Sequence, residues 1–321
     1  MSVIYLTKKT CKLSKNAGRL VVRDNDEIKV SVPAASVTGV VVTSDAQIST
    51  QVVRMLLAQG SYIIYTDWRG IFAGLVTANR GSFSNTFLQI SLFGDEKKKL
   101  QLVKYIVRNK LENQIDVIKL YAKYRSNILL HQTAKSLNKF YTHIEKAGSV
   151  DDLRGIEGIC AKEYFSVFSE ITNPAGFEWL GRTRRPAKDE VNALLNYGYA
   201  FLEREVRVVT MGAGLDERYG FLHSNNGRKD SLIYDLMELV RQTVIDKLIL
   251  YSLCRKRIKR TDFEQTDDGY FLTDEGRSKW LNIYEQWMQE DKHGRRLIEC
   301  AVKNFVQEMK NCLGGDEKCA I

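Results

Sequence analysis

An α+β architecture, with a small N-terminal β-rich domain followed by a larger all-α C-terminal domain, is what the sequence predicts. Three observations carry it. The first 80 residues hold short runs of Val, Ile and Tyr broken by Asn, Asp and Gly. From residue 95 onward the apolar residues recur at helical spacing. Only three prolines occur, Pro33, Pro174 and Pro186, and each falls at the end of one of these segments. A length of 321 residues favours two domains over one.

The strands read in order as VIYLT (residues 3–7), GRLVVR (18–23), EIKVSVP (27–33), VTGVVVT (37–43), SYIIYT (61–66) and IFAGLVT (71–77). One helix interrupts them. Ser49 or Thr50 can cap TQVVRMLLAQG, whose Val53, Leu56 and Leu57 keep helical spacing until Gly60. A β-rich domain over residues 1–82 and a connector over 83–94 follow from the change of pattern after Gly81. A long amphipathic helix starts at Asp95, and everything beyond reads as helical, including segments near 151–171, 187–211, 231–253, 273–289 and 292–312. Residues 95–321 make the second domain, with Gly314 and Gly315 marking a frayed tail.

Hydrophobic residues make up 44% and charged residues 27%, values that exclude disorder. The longest apolar runs fall well short of the roughly 20 residues a bilayer demands, and no secretory signal pattern opens the chain, so a cytoplasmic protein is expected. Six scattered cysteines without a CxxC pair argue for reduced thiols. The net charge of +9 is unevenly spread: +12 over residues 1–146 and −3 over residues 147–250. A basic block ahead of an acidic one suits a polyanion-binding enzyme whose carboxylates hold metal ions, as well as two unrelated solvated faces.

No Gly-rich phosphate loop, GxSxG elbow or HExxH helix is present, which leaves carboxylate and histidine chemistry. Asp235 and Glu238 share one side of a helix that is otherwise apolar. Such a pair is either a wet surface or a metal site, and the apolar circumference argues for burial. His223 sits between the run YGFL and the polar turn SNNGRKD, as a core residue or as a ligand; His131, His143 and His293 lie in charged stretches. Glu157 stands between two glycines in RGIEG, a pair that suggests close approach by a helix or a ligand, and Glu163 is its rival on the same segment.

Four motifs, RGIEG (154–158), RRPAKDEVNALLNYGYAFL (184–202), GLDERYGFLH (214–223) and SLIYDLMELVRQTVID (231–246), together resemble the CRISPR-associated adaptation integrase and endonuclease family, the first of the numbered Cas proteins. The resemblance implies a divalent metal, Mg2+ or Mn2+, held by Glu157, His223 and Glu238, with Asp235 close by and Arg241 facing the DNA backbone or the ligands. It implies joining of the 3′-hydroxyl ends of a short double-stranded DNA fragment to a CRISPR repeat by transesterification. Further implications are a homodimer formed through the β-rich domain, a small second adaptation protein as partner, and cooperation with an auxiliary nuclease. His223 could alternatively serve as a general acid.

Backbone-directed DNA binding favours dispersed cations. Lys97, Lys98, Lys99, Lys104, Arg108 and Lys110 on the long helix form one candidate surface. Arg255, Lys256, Arg257, Lys259 and Arg260 form another. Two rival functions stay open at this point: a non-catalytic DNA-binding assembly scaffold, and a structure-specific nuclease acting on branched DNA.

Overall fold

The computed structural model describes residues 2–67, 69–78, 81–223, 230–290 and 294–314. His293 and the tail beyond Gly314 lie outside the described residues. The chain divides into two compact units, Met1–Gly81 and Ser82–Ile321.

Among the described residues the first unit holds two four-stranded sheets and one α-helix. Strands β1 (Ser2–Leu6), β2 (Cys11–Asn16), β3 (Arg19–Asp24), β4 (Glu27–Pro33), β5 (Val37–Val42) and β6 (Gln47–Ile48) precede α1 (Thr50–Ala58), and β7 (Tyr62–Thr66) and β8 (Phe72–Val76) follow it. One sheet has the order β1-β5-β7-β8, parallel except for β8. The other runs β4-β3-β2-β6, with β6 parallel to β2. Two-residue turns close β2–β3 at Ala17-Gly18 and β3–β4 at Asn25-Asp26, all four residues with positive φ, as the twist of a tight hairpin requires. Leu6, Leu13, Leu20, Val40, Val52, Leu56 and Ile63 share one core. β2 was not expected as a strand, although Cys11 and Leu13 alternate with exposed or half-buried polar residues.

The second unit is mostly helical. Its first helix, α2 (Phe83–Phe93), occupies the segment expected to be a connector. Ser82 caps its start, and Leu88, Gln89 and Leu92 are buried. The Gln89 amide donates to the carbonyls of Asp216 (2.9 Å) and Tyr219 (2.7 Å) and accepts from the Asp216 N–H (2.9 Å). That segment is therefore structural. Then come α3 (Glu96–Arg125), α4 (Ile128–Asn138), α5 (Phe140–Lys146), α6 (Val150–Ser166), α7 (Ser169–Thr172), α8 (Glu190–Gly212) and α9 (Ser231–Glu238). A π-helical turn, Gln242–Asp246, leads into α10 (Lys247–Cys254). Strands β9 (Phe263–Thr266) and β10 (Gly269–Leu272) make a hairpin inside the helical unit, turning at Asp267-Asp268, a departure from the all-α expectation. The unit closes with α11 (Asp274–Met288) and α12 (Arg295–Leu313). Among the described residues no helix is long and apolar enough to cross a membrane.

Gln89→Ala is expected to cost about 2 kcal/mol of stability, because it leaves two half-buried carbonyls and a half-buried N–H without their partner. Urea unfolding followed by far-UV circular dichroism checks this; a loss below about 0.5 kcal/mol would show that α2 is not held by these bonds.

Candidate active site

Three helices and one turn bring the candidate residues together. On α6 the buried stripe runs Leu153, Cys160 and Tyr164, and Glu157 lies on it at helical spacing. A carboxylate placed there has to leave water or find a cation. On α3 the stripe Val103, Val107, Lys110, Gln114, Val117 and Tyr121 is likewise buried, so Lys110 points inward from an otherwise lysine-rich helix. α9 is buried at every position but Tyr234, which removes the solvated-face alternative for Asp235 and Glu238.

These helices meet at one ammonium. Lys110 Nζ donates to Glu157 Oε1 and lies 2.7 Å from Glu238 Oε2. The Oε2 contact is an ion pair without hydrogen-bond alignment, so that buried oxygen has no hydrogen-bond partner. The Arg241 guanidinium holds Oε1 at 2.6 Å. Burial alone would raise the Glu238 pKa; Arg241 and Lys110 outweigh it and hold the acid down at about 2. Asn113 on α3 donates to the Leu239 carbonyl at 2.8 Å, fastening the end of α9.

Asp235 is used differently. Its carboxylate accepts the backbone N–H groups of Phe221, Leu222 (2.9 Å) and His223 (3.0 Å), and the ring Nδ1 of His223 at 2.7 Å. Nδ1 donates to this carboxylate, which leaves Nε2 as the basic or ligating atom. Four donors saturate Asp235, so it positions His223 and does not face Lys110. Gly220 makes the turn possible, since a Cβ there would come within 2.6 Å of the Ser231 backbone. Arg154, three residues before Glu157, donates to the Leu222 carbonyl at 2.6 Å and couples α6 to the same turn. Residues 224–229, the polar turn after His223, lie outside the described residues.

The glycine reading needs correction. A Cβ at Gly155 or Gly158 would meet nothing within 4 Å, so among the described residues no neighbouring helix presses on RGIEG. Lys110, placed at sequence level on a DNA-facing surface, is buried in the centre instead. Four others of that surface are engaged locally: Lys98 with Asp95 (3.7 Å), Lys99 with Glu96 (3.5 Å), and Lys104 and Arg108 with the Glu145 carbonyl (2.7 Å) and carboxylate (3.0 Å). Arg255 and Arg257 line a cavity of about 670 Å³ with Tyr121, Tyr124, Lys247, Tyr251 and Trp287.

A third buried acid at the centre is not among the residues expected from the sequence. Asp246, in the π-helical turn, accepts the hydroxyls of Tyr199 (2.6 Å) and Tyr164 (2.9 Å). The Tyr199 ring lies 4.9 Å beneath the Arg241 guanidinium, so the acid is joined through one ring to the cation on Glu238. Burial pushes Asp246 up to about 6, against the pull of Tyr199 and Arg241. Its signal was an acid eight residues beyond Glu238 within an apolar helix.

Among the described residues no three His, Cys, Asp or Glu side chains stand close enough to hold a metal ion. Glu157 and Glu238 converge on one cation, and the His223 ring is turned to Asp235. The donor set nevertheless fits a divalent metal. Two carboxylates from separate helices already share one cation, and one of their buried oxygens lacks a hydrogen bond.

A β-rich unit followed by a mostly helical one is also the fold of solved CRISPR-associated proteins. A relative from Rhodospirillum rubrum, named CRISPR-associated endonuclease Cas1 2, is 31% identical over 319 residues, covering 95% of this chain and 92% of its own. A Cas1 protein from Thermotoga maritima superposes with a TM-score of 0.82 over the whole of both chains at 25% identity. A casposase bound to its integration product shares the fold, with a TM-score of 0.81 and 20% identity over 97% of this chain and 91% of that one. The family described as CRISPR associated protein Cas1 matches residues 4–286, and the chain belongs to the Cas1 family.

Asp246 gives a pH test. Its raised pKa means the folded state binds more protons than the unfolded state between about pH 4 and 6, so its contribution to stability falls as pH rises through that window. Relative to Asp246→Asn, the native chain is expected to lose about 3 kcal/mol across it. Parallel melting profiles for the two proteins would remove Asp246 as a buried titrating group.

Proposed function

We propose that this chain is a divalent-metal-dependent DNA endonuclease and integrase of CRISPR adaptation, inserting short double-stranded fragments into the array by 3′-hydroxyl transesterification. The observation that carries this reading is the convergence of Glu157 and Glu238, from α6 and α9, on a single cation position. Glu157, Glu238 and His223 would hold Mg2+ or Mn2+, which supplies neutralisation of the phosphate and activation of the attacking oxygen.

The chain's own residues do the rest. Glu238, kept ionised by Arg241 and Lys110, presents a permanent anion at neutral pH. Asp235 fixes the His223 tautomer with the proton on Nδ1, leaving Nε2 to ligate or, once protonated, to give a proton to the leaving oxygen. Arg255 and Arg257, with the aromatic rings beside them, and Lys97, Lys98, Lys99, Lys104 and Arg108 would grip phosphates without reading bases. Their local ion pairs are largely exposed and weak enough to exchange for a phosphate.

A homodimer through the β-rich unit completes the proposal. Edge strand β4 exposes Ile28 and Val30, an apolar pair of the kind a second copy would cover. The small second adaptation protein and an auxiliary nuclease follow from the family resemblance.

Glu157→Ala and His223→Ala are each expected to lower joining of a duplex with free 3′ ends to plasmid DNA at least about 100-fold. Chelator should abolish joining by the native protein, and Mn2+ or Mg2+ should restore it. Full activity in both variants would overturn the site assignment. Salt-sensitive DNA binding that ignores chelator, with no joining, would favour an assembly scaffold.

A further inference from the structure

We propose that the Lys110 ammonium is the resident cation of the metal-free centre, standing where the divalent ion enters, so that metal uptake is an exchange of cations and Lys110 must leave the two carboxylates. The inference rests on the proposed metal site and adds a residue that competes for it.

The first support is burial. The Lys110 side chain is 6% exposed, and lysine is almost never buried unless paired. Its position on the apolar stripe of α3 fixes its direction, so this is a built contact and not a surface side chain folded over by chance.

Charge gives the second. Among the groups in direct contact, Glu157 and Glu238 carry two negative charges and Lys110 and Arg241 two positive ones, so these four balance without a metal. A divalent ion added without loss would leave these four largely buried groups with a net charge of about +2, which is costly where little water reaches. One resident cation has to withdraw.

Geometry decides which one. Lys110 contacts Glu157 Oε1 and lies 2.7 Å from Glu238 Oε2, one oxygen from each candidate ligand. A metal at about 2.1 Å from those oxygens would claim the space the ammonium fills. Arg241 is the worse candidate to move: its guanidinium is bonded to Glu238 Oε1 and held over the Tyr199 ring. Lys110 reaches the centre on a flexible four-carbon stem and can swing aside without shifting α3. Holding the carboxylates together also spares the empty centre their mutual repulsion.

Lys110→Met tests this, because it keeps the apolar stem and removes the charge. Melting temperature is measured in EDTA and in excess Mn2+, and Mn2+ affinity by paramagnetic resonance of the free ion. The variant is expected to melt lower than the native protein in EDTA, to gain more from Mn2+, and to bind Mn2+ at least tenfold more tightly. Equal or weaker Mn2+ binding by Lys110→Met would overturn the exchange. Should that variant fail to fold in EDTA, Lys110→Arg decides the matter: a charged group with a two-toothed grip should weaken Mn2+ binding, and an unchanged affinity counts against the proposal. Glu157→Gln separates the two levels. If native protein binds no Mn2+, or Glu157→Gln binds it equally well, the metal site itself fails and the exchange with it. If Glu157→Gln loses Mn2+ while both Lys110 variants bind as the native protein does, only the exchange fails.

Discussion

A carboxylate removed from water has to be given a cation or a set of donors, and the helical unit is organised around three acids that meet this requirement in different ways. Glu238 takes Lys110 from α3 and Arg241 from just beyond its own helix, and Lys110 also takes Glu157 from α6. Asp235 takes the backbone of the turn at 221–223 together with the His223 ring. Asp246 takes two tyrosine hydroxyls. Satisfying these acids fixes the mutual placement of α3, α6, α8 and α9 more specifically than apolar packing alone would.

Arrangements of this kind are poor sources of stability. The desolvation of a buried ion pair commonly cancels its attraction, and apolar residues of equal volume would serve a purely structural purpose as well or better. Their presence in a helix as apolar as α9 therefore points to chemistry. The separation of roles between Asp235 and Glu238, three residues apart, agrees with that view. One is saturated by donors and orients an imidazole; the other keeps a buried oxygen without a hydrogen bond.

Much of this was written in the sequence, and the omissions have physical causes. The β-rich start was legible because its strands are dense in Val and Ile and end in turn residues. α2 was not, because FSNTFLQISLF mixes aromatic and β-branched residues with polar ones and only its flanking Ser82 and Gly94 announce a helix. The β9–β10 hairpin gave one signal, Asp-Gly. His223, Asp235 and Glu238 stand out as polar residues in apolar company, whereas Glu157 is marked only by flanking glycines that turn out to have open space around them. Lys110 was hidden by the lysines around it. Only the strict stripe from Val103 to Tyr121 shows that this one faces inward, and stripes on a long charged helix are easy to misassign by one position.

The π-helical turn at 242–246 carries one more consequence. Widening a helix by a single residue rotates everything after it by about 100° relative to an uninterrupted helix. The stretch from α9 to α10 thus behaves as two cams on one shaft, the first phased to present Glu238 and Arg241, the second phased to bring Asp246 to the Tyr199 hydroxyl. A one-residue deletion there would spare every side chain named in the centre and still put the two halves out of step.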